Sequence, residues 1–458
     1  MLKINYKYKT DTLLWLLIIS FLIIFHFRHP LNDDEGVALE GALNIFNHRQ
    51  IYQDFFEFVT PGVFYLLAWS WKIFGIHYFV AKILAILAVF MSAFGVYKIS
   101  QNISKQKLNS IGALLLVLAS ALWPIIIYHT FNLVFMIWAL WFLLKALDQP
   151  KYQYFIASGL LTGLAVLFMQ NKGLLFMASL SSFLLILSIK NKNYFKNTIA
   201  YTLASLLTIS ILLIKWSPVF LYQNLILFPL QHYTGLPNIS YSLLIISVLW
   251  IATIIFLLIR ERNKKIYLLI YTQIILLLST FSLPDIFHIS LVLFPSYSLL
   301  ALSLNKISSK TFNQKMIFYT LITSGIIINV MPAIVWPKYF TPFSDSSKNN
   351  IILDYIKKNC LASEYIYAGP FSSSLYFETK LKNPTSFSWL ITNHHSAEQF
   401  SLAASDLAEH KPLCAVLDYS SVSKYNYNLD NPVDNYILAN YHQEKSFDTI
   451  LIYKINDL

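Results

Sequence analysis

The sequence predicts a mainly α, polytopic membrane protein of about eleven transmembrane helices, followed by a small C-terminal extracytoplasmic α/β domain. Three observations predict it. Hydrophobic residues fill 56% of the 458 positions and charged ones only 12%, about half the charged share of an ordinary soluble domain. Apolar runs of roughly 17–20 residues recur between positions 12 and 336, each long enough to cross a bilayer as a helix. From about 337 the composition turns to Ser, Asn, Asp and Lys, and helix-like and strand-like segments alternate. The expected division is therefore 1–336 for the membrane domain and 337–458 for the α/β domain.

The spans read as 12–28, 79–97, 109–128, 131–147, 153–170, 174–189, 198–216, 241–259, 266–283, 289–304 and 316–336. With the N-terminus inside, alternate loops collect 18 cations: Lys3, Lys7, Lys9, Lys98, Lys105, Lys107, Lys145, Lys151, Lys190, Lys192, Lys196, Arg260, Arg262, Lys264, Lys265, Lys306, Lys310 and Lys315. The opposite loops before the tail hold six: Arg28, Arg49, Lys72, Lys82, Lys172 and Lys215. This asymmetry is the positive-inside pattern and puts the C-terminal domain outside. It also accounts for the net charge of +11 without a nucleic-acid partner. The first run is not a simple cleaved signal, because no small-residue cleavage site follows it and many spans come after.

One apolar stretch decides the topology. Residues 61–75 would rise only ~22 Å as a helix, and counting them as a span would turn every later Lys cluster outward. The sequence therefore predicts that they lie flat in the outer interface, with Trp69 and Trp71 at headgroup depth. The loop 29–78 becomes an outer platform of two interfacial helices, near 36–47 and 61–74. The outer stretch 216–240 reads as a further interfacial segment.

In the tail, "NNIILDYIKKN" reads as a helix, "EYIYAG" as a strand, 395–410 as a helix and "PLCAVLDY" as a strand. The end, "DNYILANYHQEKSFDTILIYKI", reads as a helix followed by a hairpin. Cys360 and Cys414 both fall here. A disulfide between them and a simply buried Cys414 both stay open, since sequence sets no distance.

Chemistry concentrates in the outer platform. Its first helix is preceded by "LNDDEG", and the sequence predicts that Asp33 or Asp34 caps that helix and is held rigidly. Glu35 falls in the first turn, Glu40 further along, and Asp54 and Glu57 follow in the same loop. A solvated cap is the ordinary use of such acids. Two further groups stand out: Lys172 in "FMQNKG", a lysine at an outer hairpin against the charge rule, and the pair Asp285 and His288 in "SLPDIFHISLVLFP". The pair is spaced i, i+3 and can share a helix face, and ionisable groups at that depth usually face a cavity or a partner. A snorkelling lysine and a structural Asp–His hydrogen bond are the plain alternatives.

The order "DEG", then "IYQDFFEF", then "PGVFYLLAWSWKIFG" resembles the first outer loop of the GT-C membrane glycosyltransferases. The resemblance is to the broad bacterial group of protein O-mannosyltransferases, aminoarabinose transferases and lipopolysaccharide sugar transferases. It implies transfer of a sugar from a polyprenyl-phosphate donor to a lipid, glycan or protein acceptor at the outer face of the membrane, with inversion at the anomeric carbon. Asp34 stands where that group has its proposed catalytic base, with Glu35 beside it. Tyr52 and Asp54 match its Tyr-x-Asp, and Pro61 and Gly62 its proline segment. A lysine common just before the prolines is missing from "EFVTPG", so another cation is needed for the phosphate. Lys172, in a Lys-Gly turn like that of relatives, is the candidate, joined by Asp285 and His288 in a D-x-x-H that some relatives share.

No cofactor is certain. A divalent metal is possible, but two ligands do not define a metal site. No Gly-rich phosphate loop is present, which argues against an ATP-driven pump. A transporter or flippase of lipid-linked glycans would place charges midway through its spans and show inverted repeats. An O-antigen ligase or polymerase would place its large outer loop late in the chain, and a sensor would put its function in the tail.

Overall fold

The computed structural model describes residues 6–104, 108–121, 124–232, 241–281, 285–308, 310–335 and 344–456. Lys3, Lys105 and Lys107 of the charge pattern, and 233–240 of the outer stretch, lie outside the described residues. The chain forms two compact units. One comprises Met1–His29, Lys82–Lys215 and Ile239–Phe340; the other comprises Pro30–Ala81, Trp216–Asn238 and Thr341–Leu458.

The first unit is helical. It contains α1 (Tyr6–Arg28) and most of α4 (Tyr78–Ile103), then α5 (Ile111–Ser120), α6 (Tyr128–Asp148), α7 (Tyr152–Phe168) and α8 (Gln170–Lys190). Among the described residues, α4, α6, α8 and the stretch Lys192–Lys215 are long and apolar enough to cross a membrane. A fifth span follows if α1 and the helix after it count as one broken span. The chain is thus multi-pass, with four or five such spans evident among the described residues; the full eleven are not shown. Several predicted spans fall on shorter helices, such as α5, α7 and Leu244–Leu258. The run 289–304 is divided between the helices Ile286–Val292 and Phe294–Ile307. Pro295 has no N–H to carry the first helix into the second, and the chain restarts there.

Small residues let these helices approach closely. A Cβ on Gly159 of α7 would sit 2.3 Å from the Tyr201 carbonyl oxygen, and the Ser205 hydroxyl donates to the Gly159 carbonyl at 3.0 Å. Ser158 donates to the Ala139 carbonyl at 2.8 Å. Such contacts suit a bilayer, where lipid is as apolar as Leu and only close packing and hydrogen bonds favour association.

The second unit joins the first loop to the tail. It holds α2 (Asp33–Phe46), α3 (Gly62–Phe74) and a four-stranded sheet with its helices. The strands are β1 (Ile366–Gly369), β2 (Cys414–Asp418), β3 (Tyr441–Phe447) and β4 (Ile450–Ile455), in the order β1-β2-β4-β3. β1 and β2 are parallel; β2–β4 and β3–β4 are antiparallel. The helix Ala397–His410 opens on a capping box, Ser396 with Gln399, the pairing that satisfies two orphan N–H groups. Cys360 and Cys414 are disulfide-bonded, with Cα atoms 5.7 Å apart and 54 positions between them in sequence. Closing a loop of that size is worth about 4 kcal/mol in the chain-entropy account.

α3 buries Val63, Phe64, Leu67 and Ala68 and leaves a second apolar face outward. Trp69, Ile73 and Phe74 are exposed, at 67%, 71% and 67%. Trp71, by contrast, faces inward. It is buried, stacks on Phe377 at 5.5 Å and donates its Nε1–H to the His77 carbonyl.

α2 packs on the helix Ser374–Thr379 through Gly36. A Cβ at that position would lie 2.2 Å from the Ser374 backbone nitrogen and 2.6 Å from the Ser373 carbonyl carbon. Backbone cannot yield as a flexible side chain can. Gly36→Ala is therefore expected to destabilise this unit by about 2–3 kcal/mol, read as a lowered unfolding midpoint by differential scanning fluorimetry.

Candidate active site

The acids of α2 have different surroundings. The N-cap is Asn32, whose side chain accepts from the Glu35 N–H at 2.9 Å; neither Asp33 nor Asp34 caps the helix as the sequence predicted. Asn is as good a cap as Asp, and using it frees both aspartates for other contacts. Asp33 turns to the tail: its Oδ1 accepts from the Ser374 hydroxyl at 2.7 Å and the Ser374 N–H at 3.2 Å, and its carbonyl accepts from the Ser373 hydroxyl at 2.7 Å. Glu35 is fully buried, and its Oε2 accepts from the Tyr78 hydroxyl at 2.7 Å.

Asp34 is half-buried, and its carboxylate makes no hydrogen bond among the described residues. Burial raises its pKa to about 6; Lys424 opposes that rise and Glu35 adds to it. Asp33 is also raised to about 6, by burial against the opposition of its Ser374 hydrogen bonds. The two differ in availability: Asp33 is committed to three hydrogen bonds, whereas Asp34 holds a proton-accepting carboxylate with nothing bound to it.

Glu40 and Glu57 lie deeper in the same unit. Burial lifts Glu40 to about 7, although its Oε1 accepts from the Asn383 amide at 2.9 Å. Burial also holds Glu57 well above the usual carboxylate range, with Glu40 adding to the rise. The sequence marked both acids only as part of an acidic loop. Tyr52 and Asp54 shape that loop. Tyr52 has φ 69° and donates its hydroxyl to the Val59 carbonyl at 2.7 Å, with its ring against Trp216. Asp54 Oδ2 accepts from the Gln50 N–H at 2.6 Å, and its carbonyl accepts from Arg49.

A second cluster belongs to the helical unit, at the starts of its helices. Lys172, near the start of α8, is 1% exposed, and its Nζ lies 3.4 Å from His129 Nδ1. The His129 and His288 rings meet edge to face at 4.9 Å. Asp285 caps the helix Ile286–Val292: its Oδ1 accepts from the His288 N–H, and its Oδ2 lies 2.7 Å from His288 Nδ1. That contact assigns the proton to His288 Nδ1 and leaves Nε2 as the acceptor. The geometry thus brings Lys172 together with the Asp285–His288 pair and adds His129. The available signal for His129 was a histidine at the outer start of a span, in "YHTFN". Lys82 is likewise fully buried, donating to the Pro124 carbonyl at 2.9 Å. Among the described residues, no group of three or more His, Cys, Asp or Glu is arranged to hold a metal ion.

Residues 59–218 match the family model of dolichyl-phosphate-mannose-protein mannosyltransferases, a segment that begins after the α2 acids and includes Lys172. The chain is similar in fold to ArnT from Cupriavidus metallidurans bound to undecaprenyl phosphate, at 11% identity and a TM-score of 0.62, covering 96% of this chain and 97% of that one. The apo form of that ArnT gives 12% and 0.63, covering 97% and 98%. The Archaeoglobus fulgidus oligosaccharyltransferase tethered to an acceptor peptide gives 11% and 0.57, covering 96% of this chain and 74% of that one. At these identities the structural likenesses establish the fold. No curated protein sequence matches the chain.

Proposed function

We propose that this protein transfers a sugar from a polyprenyl-phosphate donor to an acceptor at the outer face of the membrane, with Asp34 as general base. The observation that carries this is the state of Asp34: of the three acids opening α2, it alone has an uncommitted carboxylate, and its pKa is raised to about 6. A base of that strength is largely ionised at neutral pH yet still binds a proton well. ArnT bound to undecaprenyl phosphate supports the class of donor, and the peptide-tethered oligosaccharyltransferase supports an acceptor entering the same kind of fold.

In the proposed step, Asp34 takes the proton of an acceptor hydroxyl or amine as that atom bonds to the anomeric carbon. The bond from that carbon to the phosphate oxygen breaks on the opposite face, inverting the centre. The electron pair leaves with the lipid phosphate, whose developing charge calls for a cation, and Lys172 is the candidate. Asp285 fixes the His288 tautomer. Glu35 stands beside the base, while Tyr52 and Asp54 hold the loop that borders the donor. The N-terminus is cytoplasmic, and the domain 337–458 lies outside.

The donor class is tested without turnover. At about 100 times its dissociation constant, undecaprenyl phosphate should stabilise the purified protein by about 2.7 kcal/mol, seen as a raised unfolding midpoint. An equal shift from undecanol, or none from the lipid phosphate, rejects the reading.

A further inference from the structure

The second unit contains a pocket of about 320 Å³ that the proposed chemistry does not use. It lies between the C-terminal end of α2 and the tail, and its wall includes Asn44, Asn47, Arg49, Tyr365, Asp406 and His410. Its volume falls in the ~300–1,000 Å³ range of small-molecule sites. Its chemistry is mixed: amides, hydroxyls, one carboxylate, one guanidinium, the Lys382 ammonium, one imidazole and a phenol.

Much of this wall is already held in place. Arg49 donates to Asn44 Oδ1 at 3.1 Å and to the Asp54 carbonyl. Asp406 Oδ2 accepts from the Ser386 N–H at 3.1 Å, and its carbonyl lies 2.9 Å from His410 Nδ1. That contact gives His410 Nδ1 the proton and leaves Nε2 as an acceptor. The Tyr365 and His410 rings lie 4.6 Å apart. The groups that remain are the Asn47 amide, the Asn44 Nδ2 donor, the Tyr365 hydroxyl and His410 Nε2; none makes a hydrogen bond among the described residues. These are neutral donors and acceptors around a half-buried aromatic ring.

A neutral, hydroxyl-rich ring matches that inventory. A pyranose presents C–H bonds to an aromatic face and hydroxyls around its rim, and amides serve each hydroxyl as donor or acceptor. A phosphate does not match, because the guanidinium is already engaged, Lys382 is paired with Glu364 and a carboxylate shares the wall. We infer that this pocket binds a saccharide unit of the acceptor. Asn44 follows Asp34 by ten positions on one helix, roughly 15 Å along its axis. A pocket that far from the base takes a distal residue of an oligosaccharide, so the acceptor is a glycan of several sugars rather than a single one. The word acceptor rests on the transferase reading; saccharide binding does not.

The test uses the full chain in detergent and no donor. Maltotriose, chitotriose, mannotriose and galactobiose are titrated, with saturation-transfer NMR as the readout. At least one should receive saturation, and its affinity should fall tenfold or more in Tyr365→Ala and in Asn47→Ala, recover in Tyr365→Phe, and stay unchanged in Asp34→Asn. No binding by any of the four to the folded protein overturns the inference, as does binding that persists in both alanine variants. Protection by undecaprenyl phosphate is measured on the same samples. Its loss in the unaltered protein rejects the transferase reading while leaving a saccharide pocket standing.

Discussion

Asp34→Asn is expected to lower sugar transfer by ~10²–10⁴-fold, the usual worth of a positioned general base, or about 3–5 kcal/mol of barrier. Folding should be unaffected, because the Asp34 carboxylate makes no hydrogen bond that the amide would lose. The active form is the carboxylate, so the rate of the unaltered enzyme should rise with pH through about 6 and level off above it. The variant should lack that limb. Asp33→Ala gives the contrast: it strands the Ser374 hydroxyl and N–H, which donate to the Asp33 carboxylate, and should act on the unfolding midpoint first. An Asp34→Asn enzyme with the unaltered rate and pH profile would remove the base from the account.

Lys172→Met is expected to separate activity from stability. A cation 1% exposed among helices pays a large desolvation cost, and replacing such a charge with an apolar side chain is often neutral or stabilising. If Lys172 served only to hold α8, its loss would lower the unfolding midpoint. As the partner of a departing phosphate, it should instead cost ~10²–10³-fold in turnover, together with most of the protection by undecaprenyl phosphate, in a protein no less stable. Measuring the midpoint with and without the lipid decides between the two. A stable variant with full turnover and full lipid protection rejects the phosphate role.

The elements of the tail were legible because each carries its own signal. The apolar β2 segment, the amphipathic helix before it and the hairpin of β3 and β4 emerge where periodicity and turn residues put them. The span count was not legible in the same way. Hydropathy registers a continuous apolar run through Pro295, where the helix itself stops and restarts. The roles within "LNDDEG" were also hidden, because Asn32, Asp33 and Asp34 are interchangeable as caps by propensity. Only the contacts from Ser373 and Ser374, some 340 positions away, tell Asp33 from Asp34. For the same reason His129 stayed unseen: its partner Lys172 lies 43 positions on, and no local spacing links them. The upward pKa shifts of Glu40 and Glu57 arise chiefly from burial, which composition does not report.

The central claim is that a lipid-phosphate sugar is the donor, and turnover of such donors tests it most directly. Purified protein is incubated with undecaprenyl-phosphate derivatives of a hexose, an N-acetylhexosamine and a pentose, together with a membrane glycan extract as acceptor. Free undecaprenyl phosphate and labelled acceptor are then quantified. The account predicts that at least one donor yields lipid phosphate and labelled acceptor in equal amounts, with both products lost in Asp34→Asn. Folded, undecaprenyl-phosphate-binding protein that turns over none of the donors, or that releases lipid phosphate equally well without Asp34, would contradict it.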